Sequence, residues 1–127
     1  MIKIWSCPVG YVYERPCAVF SEEGIEPFWE ALGVYGIHDG YKDKIEDEWM
    51  KGNWALAAPD FPVLSGLLQM QIDNTTVEAK DVSALLREVE IGRANCSNPS
   101  GTAVFDALEA CGTLALAQST GILLSPF

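Results

Sequence analysis

The stretch 81-DVSALLREVEIGRANCSNPSGTAVFDALEACGTLALAQSTGILL-124 decides the fold. Val82, Leu85, Leu86 and Val89 recur with the period of one helix face, and Arg87, Glu88 and Glu90 fall largely outside that stripe. Asp81 is the expected N-cap, with Thr75 and Glu78 offering a competing capping box. Asn98 followed by Pro99 sets a polar cap before a proline at the first helical position, which opens a second helix. Its inner stripe is Val104, Phe105, Leu108, Cys111 and Ala115, and its many alanines and glycines let it lie close to a sheet or another helix. Gly121 is expected to end that helix, and Ile122, Leu123 and Leu124 to return as a strand.

Upstream the signals are shorter. Ile2, Ile4 and Trp5 read as a first strand that ends near Pro8, Tyr11 to Tyr13 as its continuation or partner, and Ala18 to Phe20 as a further strand. The segment from Glu22 to Leu32 reads as a short helix, capped by Ser21 and stopped by Gly33, with Phe28, Trp29 and Leu32 as its apolar cluster. Glycines at 36 and 40 mark a loop before a charged helical run from Lys42 to Lys51, in which Ile45 and Trp49 share an inner face. A short strand is expected from Trp54 to Ala58, and Pro59-Asp-Phe-Pro is a turn. Val63 to Ile72 fits both periods; the alternation of Leu68, Met70 and Ile72 favours a strand. Strands and helices mix without a regular βαβ rhythm, so the expected architecture is a single α+β domain over residues 1–127, a mostly antiparallel sheet with helices packed on one face.

The chain has 127 residues, 49% of them hydrophobic, and a formal charge of −10. That is enough apolar side chain for an ordinary core. The charge excludes binding to nucleic acid by phosphate neutralisation and disfavours anionic membranes, whereas a basic protein suits it. The start carries no apolar run of roughly 7 to 15 residues such as a signal peptide has, and no stretch of about twenty apolar residues follows, so the expected location is the cytoplasm. Charge is unevenly spread: residues 14–48 hold ten acidic residues against three basic ones. Within them Glu22, Glu23, Glu26 and Glu30, with Asp39, Asp43, Glu46, Asp47 and Glu48, form either a pair of solvated helix faces or an acidic face for a basic partner. Tyr35 and Tyr41 lie among these carboxylates and are the aromatics best placed to anchor a partner, while Trp29 and Trp49 suit the core. The expected partner-binding residues are Tyr35, Asp39, Tyr41, Asp43, Glu46, Asp47 and Glu48.

Chemistry-bearing motifs are sparse. Cys7, Cys17, Cys96 and Cys111 show no CxxC spacing and read as small buried hydrophobes, Cys111 most clearly. His38 beside Asp39 is the one imidazole and carboxylate neighbour pair, and a Cys–His hydrolase would need it to converge with a cysteine. Asp39, Asp43 and Asp47 have helical spacing, but the calcium-wrapping loop is absent and two lysines sit among them, so no metal is expected. Neither glycine-rich phosphate loop occurs, and no cofactor is expected.

The helix KDVSALLREVEIGRAN, the helix NPSGTAVFDALEACGTLALAQ and the tail ILLSPF, in a short acidic chain, together resemble bacterial toxin-immunity proteins at the level of the class. The resemblance implies an inhibitor without chemistry of its own, which binds a cognate toxin domain, often a nuclease. An adaptor or structural subunit of another assembly is the alternative, and a small Cys/His hydrolase a third.

Overall fold

The computed structural model describes residues 1–7, 16–33, 59–67, 70 and 74–127. In chain order the elements are β1 (Ile2–Cys7), β2 (Ala18–Phe20), a 3-10 turn (Glu22–Gly24) leading into α1 (Ile25–Ala31), and a second 3-10 turn (Leu64–Leu67). Then come β3 (Thr75–Val77), a third 3-10 turn (Ala79–Asp81), α2 (Val82–Ala94), α3 (Pro99–Gln118) and β4 (Gly121–Ser125). The strands form an antiparallel sheet in the order β2-β1-β4-β3, so the last strand lies between the first and third. The expected α+β architecture is what the chain adopts. The expectations for Tyr11–Tyr13, the loop at Gly36 to Tyr41, the helix from Lys42 and the strand from Trp54 fall outside the described residues.

Register follows from apolar alternation. Ile4 stands opposite Ala18 on one side and Leu124 on the other, and Leu124 in turn faces Thr75. One face thereby presents Ile2, Ile4, Phe20, Val77, Ile122 and Leu124, all buried, to the helices. Helix α3 packs on β1, β2 and β4, and α1 and α2 pack in turn on α3. Its expected stripe of Val104, Phe105, Leu108, Cys111 and Ala115 is fully buried. Phe105 meets Phe28 of α1 with ring centroids 4.9 Å apart. Asn98 caps α3 as expected: its Oδ1 accepts from the amides of Ser100 at 2.9 Å and Gly101 at 3.4 Å.

Three expectations are corrected. The strand expected across Val63 to Ile72 is not formed at Leu64–Leu67, which is a 3-10 turn. There the amides of Val63 and Leu64 are taken by a carboxylate, and the Ser65 hydroxyl donates to the Pro62 carbonyl at 3.0 Å, so local and tertiary hydrogen bonds outweigh apolar alternation. Thr75 does not belong to a capping box; Thr75–Val77 is β3, as its run of β-branched residues favours. Asp81 occupies the N-cap position of α2 but makes no side-chain cap bond, because the preceding 3-10 turn leads straight into the helix.

Helix α3 ends before Gly121. Ser119 takes the left-handed conformation, with φ 57°, and the Thr120 amide donates back to the Ala115 carbonyl at 2.9 Å. Gly121 instead begins β4, where a Cβ would stand 2.4 Å from the Val77 carbonyl oxygen; the glycine is needed for strand pairing.

Gly92 of α2 shows the tightness of the helix layer, since a Cβ there would lie 2.6 Å from the Phe105 ring. In an exposed helix, glycine to alanine gains about 1 kcal/mol. Here the ring is fully buried against Phe28 and cannot retreat. Gly92→Ala is therefore expected to lose about 1–2 kcal/mol net, read as a lower urea midpoint, because overpacking outweighs propensity. A raised midpoint would contradict this packing. Asn98→Ala should cost about 1 kcal/mol in the same assay.

Candidate partner-binding face and the Glu88 anchor

The acidic segment is built on a helix with a committed inner side. Ser21 opens it, its Oγ accepting from the Glu23 amide at 3.3 Å, and Pro27 falls in the first turn of α1, where its missing N–H is not needed. Ile25, Phe28, Trp29, Ala31 and Leu32 turn inward and are buried. The remaining positions are left to Glu22, Glu23, Glu26 and Glu30, all exposed. No lysine or arginine occurs between Ala18 and Gly33. Glu22, Glu23 and Glu26 also suit the positive end of the helical segment, whereas Glu30, near the other end, gains nothing from it. Trp29 is only 6% exposed and belongs to the core. Gly33 closes the segment with φ 87°, as the sequence indicates.

Tyr35, Asp39, Tyr41, Asp43, Glu46, Asp47 and Glu48, expected to bind a partner, lie outside the described residues, as do His38 and Trp49. The four glutamates of 22–30 are the part of the acidic stretch whose placement is described.

Glu88 is the functional-looking residue that sequence reasoning places wrongly. Expected outside the apolar stripe of α2, it is only 7% exposed. It lies three residues after Leu85 and four before Gly92, both buried, so the inner face of α2 includes it; that spacing is the signal in the sequence. Its Oε1 accepts from the amides of Val63 and Leu64, both at 3.0 Å, and its Oε2 from Val63 at 3.2 Å. The carboxylate thus caps the turn Leu64–Leu67 from another element and satisfies amides that burial would otherwise orphan. Burial pushes its carboxyl above the ordinary 4.5, against the opposing pull of the Leu64 and Val63 amides and the Arg87 charge.

Beside this turn lies a cleft of about 410 Å³, whose walls include Pro62, Gly66 and Leu67 on one side and Thr76, Glu78 and Lys80 on the other. The lip pair Lys80–Glu78, at 3.5 Å, is exposed and contributes little. At the far end of α2, Arg93 bridges to Asp106 at 3.5 Å and to Glu109, tying α2 to α3. Among the described residues no three histidine, cysteine or acidic side chains gather as a metal site, and no helix is long and apolar enough to cross a membrane. Cys111 is buried as expected and Cys96 is half-buried against the core; Cys17, however, is exposed, so the reading of it as a core hydrophobe is corrected.

No family model, curated protein or solved structure matches the chain.

Glu88 gives a signed pH prediction. With its folded pKa raised above 4.5, its contribution to stability is full below that value and falls as pH rises through the folded pKa. The stability advantage of the wild type over Glu88→Gln should therefore shrink as pH rises from below 4.5 through the raised folded pKa, followed by urea unfolding at each pH. A constant or widening gap would contradict the assignment. Glu88→Ala leaves two amides unpaired and should cost about 1–3 kcal/mol at low pH.

Proposed function

We propose that this chain is a binding protein that neutralises a basic partner protein, in the manner of bacterial toxin-immunity proteins, and that it performs no chemistry of its own. The observation that carries the reading is the exposed row Glu22, Glu23, Glu26 and Glu30 on a helix whose other side is held in the core through Phe28 and Phe105. It belongs to the segment 14–48, where ten acidic residues meet three basic ones. Carboxylates on a packed helix are already positioned before a partner arrives, so their field acts at encounter without an ordering cost. The charge steers association, and aromatic contacts within the same acidic stretch, with Tyr35 and Tyr41 the candidates, slow dissociation. Asp39, Asp43, Glu46, Asp47 and Glu48 add negative charge to the same stretch of sequence. The intended partner is a cognate toxin domain, for which a basic nucleic-acid-cleaving domain is the natural match, since its substrate and this inhibitor carry the same sign of charge.

The test uses tagged chain as bait in extract from its native cells, washed at low and high salt, beside a variant with Glu22, Glu23, Glu26 and Glu30 changed to lysine. Recovery of one basic protein by the wild type, its loss at high salt, its loss from the variant, and relief of its toxicity on co-expression are expected. A partner retained equally by the variant would contradict the role given to this face. A toxin left fully active by co-expression would contradict the inhibitor reading itself.

A further inference from the structure

β3 is the last strand in the order β2-β1-β4-β3, so among the described residues no strand lies beyond it. A residue in a strand sends its N–H and C=O to one side, and its neighbours send theirs to the other. Ile4 stands opposite Ala18 and its carbonyl accepts from the Cys17 amide at 2.7 Å, so the Ile4 peptide groups face β2. Those of Trp5 then face β4, where Leu123 answers them. Because Leu123 faces β1, its neighbours Ile122 and Leu124 turn to β3, opposite Val77 and Thr75. Between those two, Thr76 points its N–H and C=O away from β4. Thr76 is exposed, and it lines the cleft of about 410 Å³ described above.

We propose that this cleft is a peptide groove, in which an extended segment of a partner protein adds to β3 as the next strand and carries basic and apolar side chains in alternation. Main-chain bonds to Thr76 supply affinity, and the walls select the side chains. Pro62, Val63 and Leu67 offer apolar surface on one side, while Glu78, Lys80 and Asp81 place two carboxylates against one ammonium on the other. Lys80 pairs with Glu78 at 3.5 Å, and Asp81 makes no side-chain cap bond to α2, so the Asp81 charge is left for a lysine or arginine. An extended chain turns successive side chains to opposite sides, and alternation of basic and apolar residues matches the two walls. The turn that forms the apolar wall is fixed through Glu88, so the groove stands ready before a segment arrives. With three residues, β3 suits a short segment and not open-ended sheet growth. The groove does not rest on the inhibitor reading: it lies at the opposite edge of the sheet from β2, which leads into the glutamates of 22–30.

The probe is a fluorescein-labelled hexapeptide of alternating lysine and valine, capped at both ends, titrated into the full chain and followed by polarisation and by the amide resonances of isotope-labelled protein. Saturable binding that weakens with salt is expected, with a shifted Thr76 amide that becomes protected from hydrogen exchange. Thr76→Pro removes the outward donor and leaves the ladder to β4 intact, so this variant should keep its thermal midpoint within a few degrees and bind about tenfold or more weakly. A peptide with proline in place of its central valine tests the same bond on the wild-type fold and should lose as much. Asp81→Asn keeps a good residue at the helix start and should weaken binding while flattening its salt dependence. No binding at millimolar peptide, or equal binding by Thr76→Pro, would overturn the proposal. So would a wild-type dimer that Thr76→Pro dissolves, which would give the edge to a second copy. Peptide binding lost instead when Glu22, Glu23, Glu26 and Glu30 become lysine would move the contact to the acidic helix; binding that survives there but fails in Thr76→Pro supports the groove whatever becomes of the inhibitor reading.

Discussion

Helix α3 gives up solvent to the sheet and to α1 and α2, and that burial is the constraint on which the described structure depends. Val104, Phe105, Leu108, Cys111 and Ala115 are fully buried along it, and fully burying a large apolar side chain contributes about 1.5–3 kcal/mol. Contact on several sides is possible only where side chains are small. Gly101 lies against Pro27, whose backbone comes close, and Gly112 against the Leu86 side chain, so α1 and α2 pack tightly on the helix. Its sheet-facing contact sets the position of β1, β2 and β4, and its contact with α1 turns the glutamates of 22–30 outward.

A second dependence runs through Glu88. The residues after Pro59 need a way to end their amides inside the protein, and α2 supplies one by sacrificing an inner-face position to a carboxylate. The buried carboxyl is an expensive anchor, since desolvation opposes its charge. What it secures is specificity: the two amides it accepts belong to consecutive residues, so the turn cannot slide against α2 without leaving them unpaired.

Much of this was legible in the residues themselves. The α+β class, β1, β2, β4, the Asn98–Pro99 start of α3, its buried stripe and the Ser21-to-Gly33 segment all rest on local signals, and local hydrogen bonding or periodicity suffices to produce them. Where the reading failed, a distant group decided. The turn at Leu64–Leu67 is held by Glu88 of α2, and Gly121 answers to the Val77 carbonyl of another strand. Thr75–Val77 was a miss of a different kind, because its β-branched run was visible but brief and competed with a capping pattern. For the candidate face, the acidic bias and the inward aromatic Trp29 could be read from the sequence. The outward row of four glutamates needed the burial of Ile25, Phe28 and Trp29 to be known together.

The binding account joins a charged exterior to this interior: the same residues that lock α1 onto α3 hold its carboxylates still. Its central claim is that the acidic field governs encounter with a basic partner. The most direct measurement is the association rate with that partner, by stopped flow, as ionic strength is raised. A steep fall in association with a nearly constant dissociation rate is the predicted result, as electrostatic steering requires. An association rate indifferent to salt would contradict the claim.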